Sequence, residues 1–449
     1  MIASWRPGRE IRYHTSLNEA LANPAPLVLA LDGGVFPFRG ALERLLSEVQ
    51  KPGVSLAYSS YETDSGTVEA LPFNGDITER FPFGPLRAYL SERLIPTGAE
   101  RFRFAWEYHA RLALEEQGLF PSAIPEPLYF HAPDLLPRPD LREYLDSRQC
   151  QSGPDLAESF AYLRYPPEAD AEFREAFYAM LRRRGAFLED LEPERTFPPG
   201  KGENEVMASV LIPVRNRESF IAQAIESALS QDFEDYEVIV VDNASEDRTR
   251  DVVRGFRDPR LRLIENPPGS IAFALNAGLR AARGKYILQL DSDDAYTPET
   301  VSRMVSFMEE NLGCGLAISY YQLTDENMNP LPDGVVKHLE YDRNNILRCE
   351  GAGAVRCWRK EVLLEIGGFD EEFGNYGEDY DAVLKVSERY EVCRVHKVLY
   401  FYRRHQGSQD AVQSKAERLN AKTRIRLRAL ERRKKLVQNR GNKRNTEGA

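Results

Sequence analysis

The chain has 449 residues and a formal net charge of −11, which is too long for one ordinary core, so two or three domains are expected. No run of about 18 apolar residues occurs, and the N-terminus lacks the basic-then-apolar layout of an export signal, so the expectation is a cytoplasmic protein without a spanning helix. The five cysteines, Cys150, Cys314, Cys349, Cys357 and Cys393, are odd in number and form no Cys-x-x-Cys pair. They are expected to be reduced, outside any disulfide framework or zinc site.

In chain order, residues 1–133 contain the strand run Leu27 to Leu31 ahead of Asp32-Gly33-Gly34 and read as a small α/β domain. Residues 134–205 are rich in Pro, Arg and acids around an amphipathic stretch, Phe173 to Leu188, and read as a helical linker. Residues 206–413 open with β-branched runs at Ser209 to Val214 and Tyr236 to Asp242. Between them, Phe220, Ile221, Ala224, Ile225, Ala228 and Leu229 recur at helical spacing. A further helix over Ala272 to Ala282 leads into the strand Tyr286 to Leu290, so this domain is expected to be Rossmann-like with a mostly parallel sheet. Residues 414–449 form a basic helical or disordered tail. From Lys415 onward it carries thirteen Lys and Arg against three Glu.

An internal repeat is visible when the halves are set side by side. Leu17-Asn18, then Leu27 to Leu31 and Asp32, echo Leu275-Asn276, then Tyr286 to Leu290 and Asp291. Ala57-Tyr58-Ser59-Ser60-Tyr61 echoes Ile318-Ser319-Tyr320-Tyr321. Trp106-Glu107-Tyr108 with Leu128-Tyr129-Phe130 echoes Gly377-Glu378-Asp379 with Leu399-Tyr400-Phe401. The first copy departs at the chemical positions: Asp291-Ser292-Asp293-Asp294 becomes Asp32-Gly33-Gly34-Val35, and Asp379 becomes Tyr108.

The chemistry concentrates in the second half. Asp291-Ser292-Asp293-Asp294 follows an apolar strand, at the edge where open α/β sheets bind ligands, and bunched carboxylates suit Mg²⁺ or Mn²⁺ on a diphosphate. On that motif alone an acidic turn capping the next helix fits equally well. Pro213-Val214-Arg215-Asn216 and Val241-Asp242-Asn243 close the two earlier strands on the same edge, where Asp242 reads either as an acceptor for a base or ribose or as an Asx turn. No Gly-x-Gly-x-x-Gly fingerprint is present.

These stretches, together with Leu275-Asn276-Ala277-Gly278, Ala282-Arg283-Gly284, Ile366-Gly367-Gly368-Phe369-Asp370, Gly377-Glu378-Asp379 and Tyr402-Arg403-Arg404-His405-Gln406-Gly407-Ser408, resemble the family 2 glycosyltransferases of GT-A fold. The resemblance implies that Pro213, Asn216, Asp242 and Asp291 line a nucleotide-sugar pocket, with Asn276, Arg283, Ser292 and Glu378 in the same set. It implies that Asp293, joined by His405, holds Mn²⁺ or Mg²⁺, and that Asp379 is the catalytic base. The implied activity is inverting, metal-dependent sugar transfer from a nucleotide-sugar donor, a UDP-sugar being favoured, to a carbohydrate or lipid-linked acceptor. No Gln-x-x-Arg-Trp run follows Asp379, which implies a non-processive enzyme. The competing classes are a nucleotidyltransferase, which would normally open with a Gly-rich phosphate loop, and a non-catalytic sugar-binding scaffold. The tail reads either as a peripheral dock on anionic membrane or as a solvated end. Without an aromatic residue to stack on bases, it is not expected to bind nucleic acid.

Overall fold

The computed structural model describes residues 1–22, 25–132, 163, 165–189, 193–350, 353–405, 407–408 and 413–447. The chain divides into two compact units, Met1–Gly185 and Ala186–Ala449. Cys150 and the first part of the expected linker, residues 134–162, lie outside the described residues. The linker's helix is displaced toward the N-terminus, to Pro167–Arg183, and Ala176, Phe177, Met180 and Leu181 bury their side chains within the first unit. Leu188, read as part of the same apolar stripe, belongs to the second unit, where its backbone N–H donates to Asn344 Oδ1 at 2.9 Å.

The first unit comprises β1 (Ile2–Trp5), β2 (Arg12–His14), α1 (Leu17–Ala22), β3 (Leu27–Leu31), β4 (Val35–Pro37), α2 (Ala41–Val49), β5 (Val54–Thr63), β6 (Gly66–Val68), β7 (Leu86–Leu90), α3 (Ser91–Leu94), α4 (Trp106–Glu115), β8 (Phe120–His131) and α5 (Pro167–Arg183). Its sheet runs β2-β1-β3-β7-β5-β8-β4, with β6 paired to β5. β5 and β8 are parallel; β3 with β7, β7 with β5, and β4 with β8 are antiparallel. Leu27, Leu29, Leu31, Leu45, Val49, Leu86, Ala88, Ile124 and Tyr129 form one apolar core between this sheet and α2.

The second unit comprises β9 (Val206–Val214), α6 (Ile221–Leu229), β10 (Tyr236–Asn243), α7 (Thr249–Gly255), β11 (Leu261–Asn266), α8 (Ile271–Ala281), β12 (Gly284–Gln289), β13 (Ala295–Tyr296), α9 (Thr300–Glu310), β14 (Cys314–Thr324), β15 (Pro330–Val336), α10 (Ile346–Cys349), β16 (Arg356–Arg359), α11 (Lys360–Glu365), α12 (Glu378–Ser387), β17 (Glu391–Arg403) and α13 (Lys415–Glu447). Its sheet order is β11-β10-β9-β12-β16-β14-β17-β13, with β15 on β14. The first four strands are parallel, while β16 runs antiparallel to both β12 and β14 and β14 is parallel to β17. The sheet is therefore a Rossmann-like parallel half joined to a mixed half, and the α/β fold class expected from the sequence stands. β9 and β10 are buried almost throughout, as strands covered on both faces must be, and α6 presents Ile221, Ala224, Ile225 and Ala228 at 3.6-residue spacing. Gly284 opens β12 because a Cβ there would lie 2.5 Å from the backbone of both Ala208 and Ser209.

The path β3-β7-β5-β8-β4 with β6 on β5 is the path β12-β16-β14-β17-β13 with β15 on β14, strand for strand and direction for direction. The copies part company at one edge, where β1 runs antiparallel to β3 while β9 runs parallel to β12.

Two expectations need correcting. Cys314 and Cys393, read as reduced, form a disulfide between β14 and β17, with their Cα atoms 6.1 Å apart. Cys349 and Cys357 are buried. The basic tail is likewise not a separate object. Within α13, Ile425, Ala429 and Leu430 are buried, Arg426 and Lys422 pair with Glu350, and Arg432 pairs with Asp381 and Glu388. Several of the tail's cations are matched to acids of the same unit, which composition along the chain could not reveal.

Candidate active site

The parallel strands deliver their C-terminal ends to one edge. There the loop after β9 is tied to the loop after β10: Asn216, in the left-handed region at φ 51°, donates its backbone N–H to Ser245 Oγ at 2.9 Å and accepts from the Glu246 N–H at 2.8 Å. Pro213 stands beside Val241 in the same pair of strands. Asp242 is fully buried at this edge. Its Oδ2 accepts from the Ser245 N–H at 3.1 Å, whereas Oδ1 has no hydrogen-bond partner. A buried acceptor without a partner is costly unless something else satisfies it.

The four-residue run after β12 divides its labour. Asp294 is buried, accepting from Tyr400 Oη–H at 2.8 Å and from the Arg403 N–H at 2.7 Å. Burial and the neighbouring Asp293 and Asp291 carboxylates push its carboxyl well above the usual range, so it is a strut to β17. Asp293 faces the other way, with Oδ2 lying 2.9 Å from His405 Nε2 and 3.3 Å from Arg217 Nε. Burial opposes its charge, yet the His405 hydrogen bond and the Arg217 guanidinium hold the carboxyl below its ordinary value. Arg403 fixes the turn between them, donating from Nε to the Asp293 carbonyl at 2.6 Å and from its guanidinium to Gln223 Oε1 at 2.6 Å. Ser292 is buried within the turn. Asp291 is pushed up to about 6 by burial, partly offset by Arg356 and reinforced by Asp293 and Asp379.

Asp379 sits in the first turn of α12, behind Gly377 at φ 95°. Its Oδ1 accepts from the Tyr380 N–H at 2.6 Å, and its Oδ2 pairs with the Arg356 guanidinium at the start of β16. Glu378 is buried beside it and pushed up to about 8 by burial and by the Asp379 carboxylate.

Two residues assigned to the nucleotide-sugar set lie elsewhere. Arg283 precedes β12, at the strand end opposite Asp291, and is engaged by Glu237 at 2.9 Å and Glu205 at 3.2 Å. Asn276 spends its amide on the loop before α12, donating to the Phe369 carbonyl at 2.8 Å and accepting from the Phe369 N–H at 3.0 Å. Both motifs serve the scaffold. Conversely, Arg217, Arg356, Tyr400 and Arg403 went unassigned although they hold the acidic groups. Arg356 carried a signal, being a cation inside the apolar strand run Val355-Arg356-Cys357-Trp358.

Among the described residues no group of three His, Cys, Asp or Glu side chains gathers as a cation cage. The Asp293 and His405 pair alone suits a divalent ion that takes its remaining ligands from phosphate oxygens and water, as Mg²⁺ and Mn²⁺ do in diphosphate sites.

Residues 209–359 match the family described as Glycosyl transferase family 2. This segment is a family 2 glycosyltransferase domain. Within the α/β fold it spans β9 to β16, the strands that carry the Asp291–Asp294 run and Arg356. Over 202 residues the chain is 32% identical to a chondroitin synthase of Pasteurella multocida, covering 43% of this chain and 20% of that protein. It is 29% identical over 196 residues to a chondroitin synthase of Escherichia coli, covering 43% and 28%. A putative teichuronic acid biosynthesis glycosyltransferase of Bacillus subtilis is 31% identical over 152 residues, covering 32% and 60%. The chain thus spans about a quarter of the length of the two synthases. Among solved structures, TarS of S. aureus in complex with UDP aligns at TM-score 0.39 with 23% identity, over 44% of this chain and 61% of that one. A mannosyltransferase of Pyrobaculum calidifontis in complex with GDP-Man and Mn²⁺ aligns at TM-score 0.36 with 20% identity, over 58% and 80%.

Proposed function

We propose that the second unit transfers a sugar from a nucleotide-sugar donor to a hydroxyl acceptor by one inverting displacement, metal-dependent and non-processive, in polysaccharide or glycoconjugate synthesis. The observation that carries this reading is geometric: Asp379 is ion-paired to Arg356 of β16, which stands opposite Gln289 at the end of β12, two residues before Asp291. In this reading the acidic run serves the diphosphate side and Asp379 the acceptor side of one site.

In this reading the nucleoside lies along the β9 and β10 loop ends, and the unpaired Asp242 Oδ1 accepts a hydrogen bond from it. Asp293 and His405 would hold a divalent ion, whose chemistry is to offset charge growing on the departing diphosphate. A sugar hydroxyl is a weak acid, so its oxygen attacks only as a carboxylate takes the proton. Asp379 is that carboxylate, reached through its quarter-exposed side chain. The acceptor oxygen bonds to the anomeric carbon, the bond from that carbon to the diphosphate breaks, and the proton remains on Asp379. The family match and the synthase relatives support a nucleotide-sugar donor, with a UDP-sugar favoured, and a carbohydrate or lipid-linked acceptor. Location in the cytoplasm, with or without peripheral membrane contact, is part of the same proposal. No described helix is long and apolar enough to cross a membrane. Any dock through α13 rests on outward cations such as Arg424 and Lys435.

The first unit is, in this proposal, an inactive copy. Arg87 stands opposite Ala30 in β3 as Arg356 stands opposite Gln289 in β12, and it is spent on Asp32 and Glu107. Tyr108 donates its hydroxyl to the Ile77 carbonyl at 2.7 Å and offers no base.

The test is a nucleotide-sugar panel with Mn²⁺, read as nucleoside diphosphate release with and without acceptor, for the native protein and Asp379→Asn. Acceptor-dependent release that falls by about two to four orders of magnitude in the variant is expected. Undiminished transfer by Asp379→Asn, or pyrophosphate release from a nucleoside triphosphate, overturns the reading.

A further inference from the structure

We infer that Arg356 is a positioning residue of the transfer reaction, holding the Asp379 carboxylate aimed at the acceptor hydroxyl. This rests on the reading of Asp379 as the base. Arg356 begins β16, paired with Gln289 of β12 and Ile318 of β14, so its Cα is fixed by strands on both sides. Its guanidinium is nearly buried and ion-paired to Asp379 Oδ2, while Asp379 Oδ1 takes the Tyr380 N–H. With one oxygen held from α12 and the other from β16, the carboxylate plane is set. Each oxygen keeps a second lone pair for a hydroxyl.

The need for the cation follows from its neighbours. Asp379 and Arg356 are faced by Glu378 on α12, Asp291 after β12 and Tyr400 on β17. His338, which follows β15, also lies in the field of Arg356. On α13, Arg426 stacks on Tyr380 at 5.8 Å but is spent on Glu350. Arg432 is spent on Asp381 and Glu388. Among the described residues Arg356 is thus the cation that pairs with Asp379, and without it three carboxyl groups would crowd a buried pocket. Like charges so placed disfavour one another's ionisation, so loss of the cation is felt at the base.

A group that acts through the base moves its titration, whereas a merely structural group lowers activity at every pH alike. In Arg356→Met the acid limb of kcat/KM, measured with the sugar nucleotide that the native enzyme turns over, moves up by about one pH unit or more, a tenfold loss below the limb. Affinity for UDP with Mn²⁺, by calorimetry, stays within about twofold, because Asp242, Asp293 and His405 are untouched. Arg356→Lys restores much of the limb, and adding Glu378→Gln to Arg356→Lys moves it back down by removing one neighbouring acid. These lysine variants decide the matter should the methionine variant fail to fold. A uniform fall of kcat/KM across pH, or an unmoved limb in both Arg356 variants, overturns the inference. Full activity in Asp379→Asn overturns the underlying assignment instead.

Discussion

Gly377→Ala should loosen the joint on which the candidate base is mounted. Gly377 precedes α12 at φ 95°, a conformation that costs an L residue roughly 1–2 kcal/mol. The new methyl would also lie 2.5 Å from Ile425 Cδ1 of α13. That atom ends a flexible chain, but Ile425 is fully buried, so its escape is limited and overpacking adds about 1–2 kcal/mol. The expected destabilisation is about 2–4 kcal/mol by urea titration, together with a loss in kcat because Glu378 and Asp379 are the next two residues. Ile425→Ala alone creates a cavity and costs about 2–4 kcal/mol, but the double variant should be more stable than the sum of the two, by roughly the 1–2 kcal/mol of overpacking it relieves. Strict additivity would refute the reasoning that the new methyl is crowded by Ile425 of α13.

Asp293→Ala should weaken binding of UDP in the presence of Mn²⁺ without changing binding in its absence, by calorimetry; equal losses in both would remove the metal role. Glu378 has its folded pKa raised to about 8 from 4.5. Its protonated form is therefore favoured by folding, a contribution complete below about pH 4.5 and lost as pH climbs through about 8. Glu378→Gln should accordingly gain in Tm relative to the native protein across that window; a gap independent of pH would contradict the assigned burial. Asp32→Ala should leave sugar transfer unchanged while the circular dichroism spectrum is retained, and loss of turnover would make the first unit a second active site. Removing residues from Lys415 onward should abolish UDP binding and broaden urea unfolding; a truncated chain that melts as sharply as the native one would make α13 dispensable.

Much of the fold was legible because local pattern and tertiary environment agree. The helix Ile221–Leu229 and the strands on either side of it follow the apolar spacing of their sequence closely, since a parallel sheet covered on both faces demands continuous apolar strands. The same holds for the repeat, where short echoes around Asp32, Tyr61 and Leu128 proved to mark equivalent strands. What escaped is everything decided by long-range pairing. Arg283 sits next to the strand that leads to Asp291, yet β12 is a whole strand long and puts the two at opposite ends. Thirteen cations against three acids in the tail looked like a surface, but Glu350, Asp381 and Glu388, far away in sequence, neutralise several of them.

The Asp291–Asp294 run shows why motif reading stops short of roles. Four adjacent residues differ in environment because β17 passes on one side and the β9 loop on the other. Asp294 is turned toward Tyr400 and Arg403, Asp293 toward His405 and Arg217, and Asp291 toward the field of Arg356 and Asp379. Their carboxyls are accordingly displaced in opposite directions, Asp294 and Asp291 upward and Asp293 downward. A cation binds the form that is already charged, so in the proposed reading Asp293 is the member of the run that would hold a metal, whereas Asp294 holds the turn in place. The division depends on β17 returning parallel to β14 and bringing Tyr400, Arg403 and His405 to the same edge. In the first unit β8 makes the same return, but it meets Asp32-Gly33-Gly34 where the second unit has its acids. The scaffold therefore does not create the site by itself; the site arises where that return strand meets a run of carboxylates.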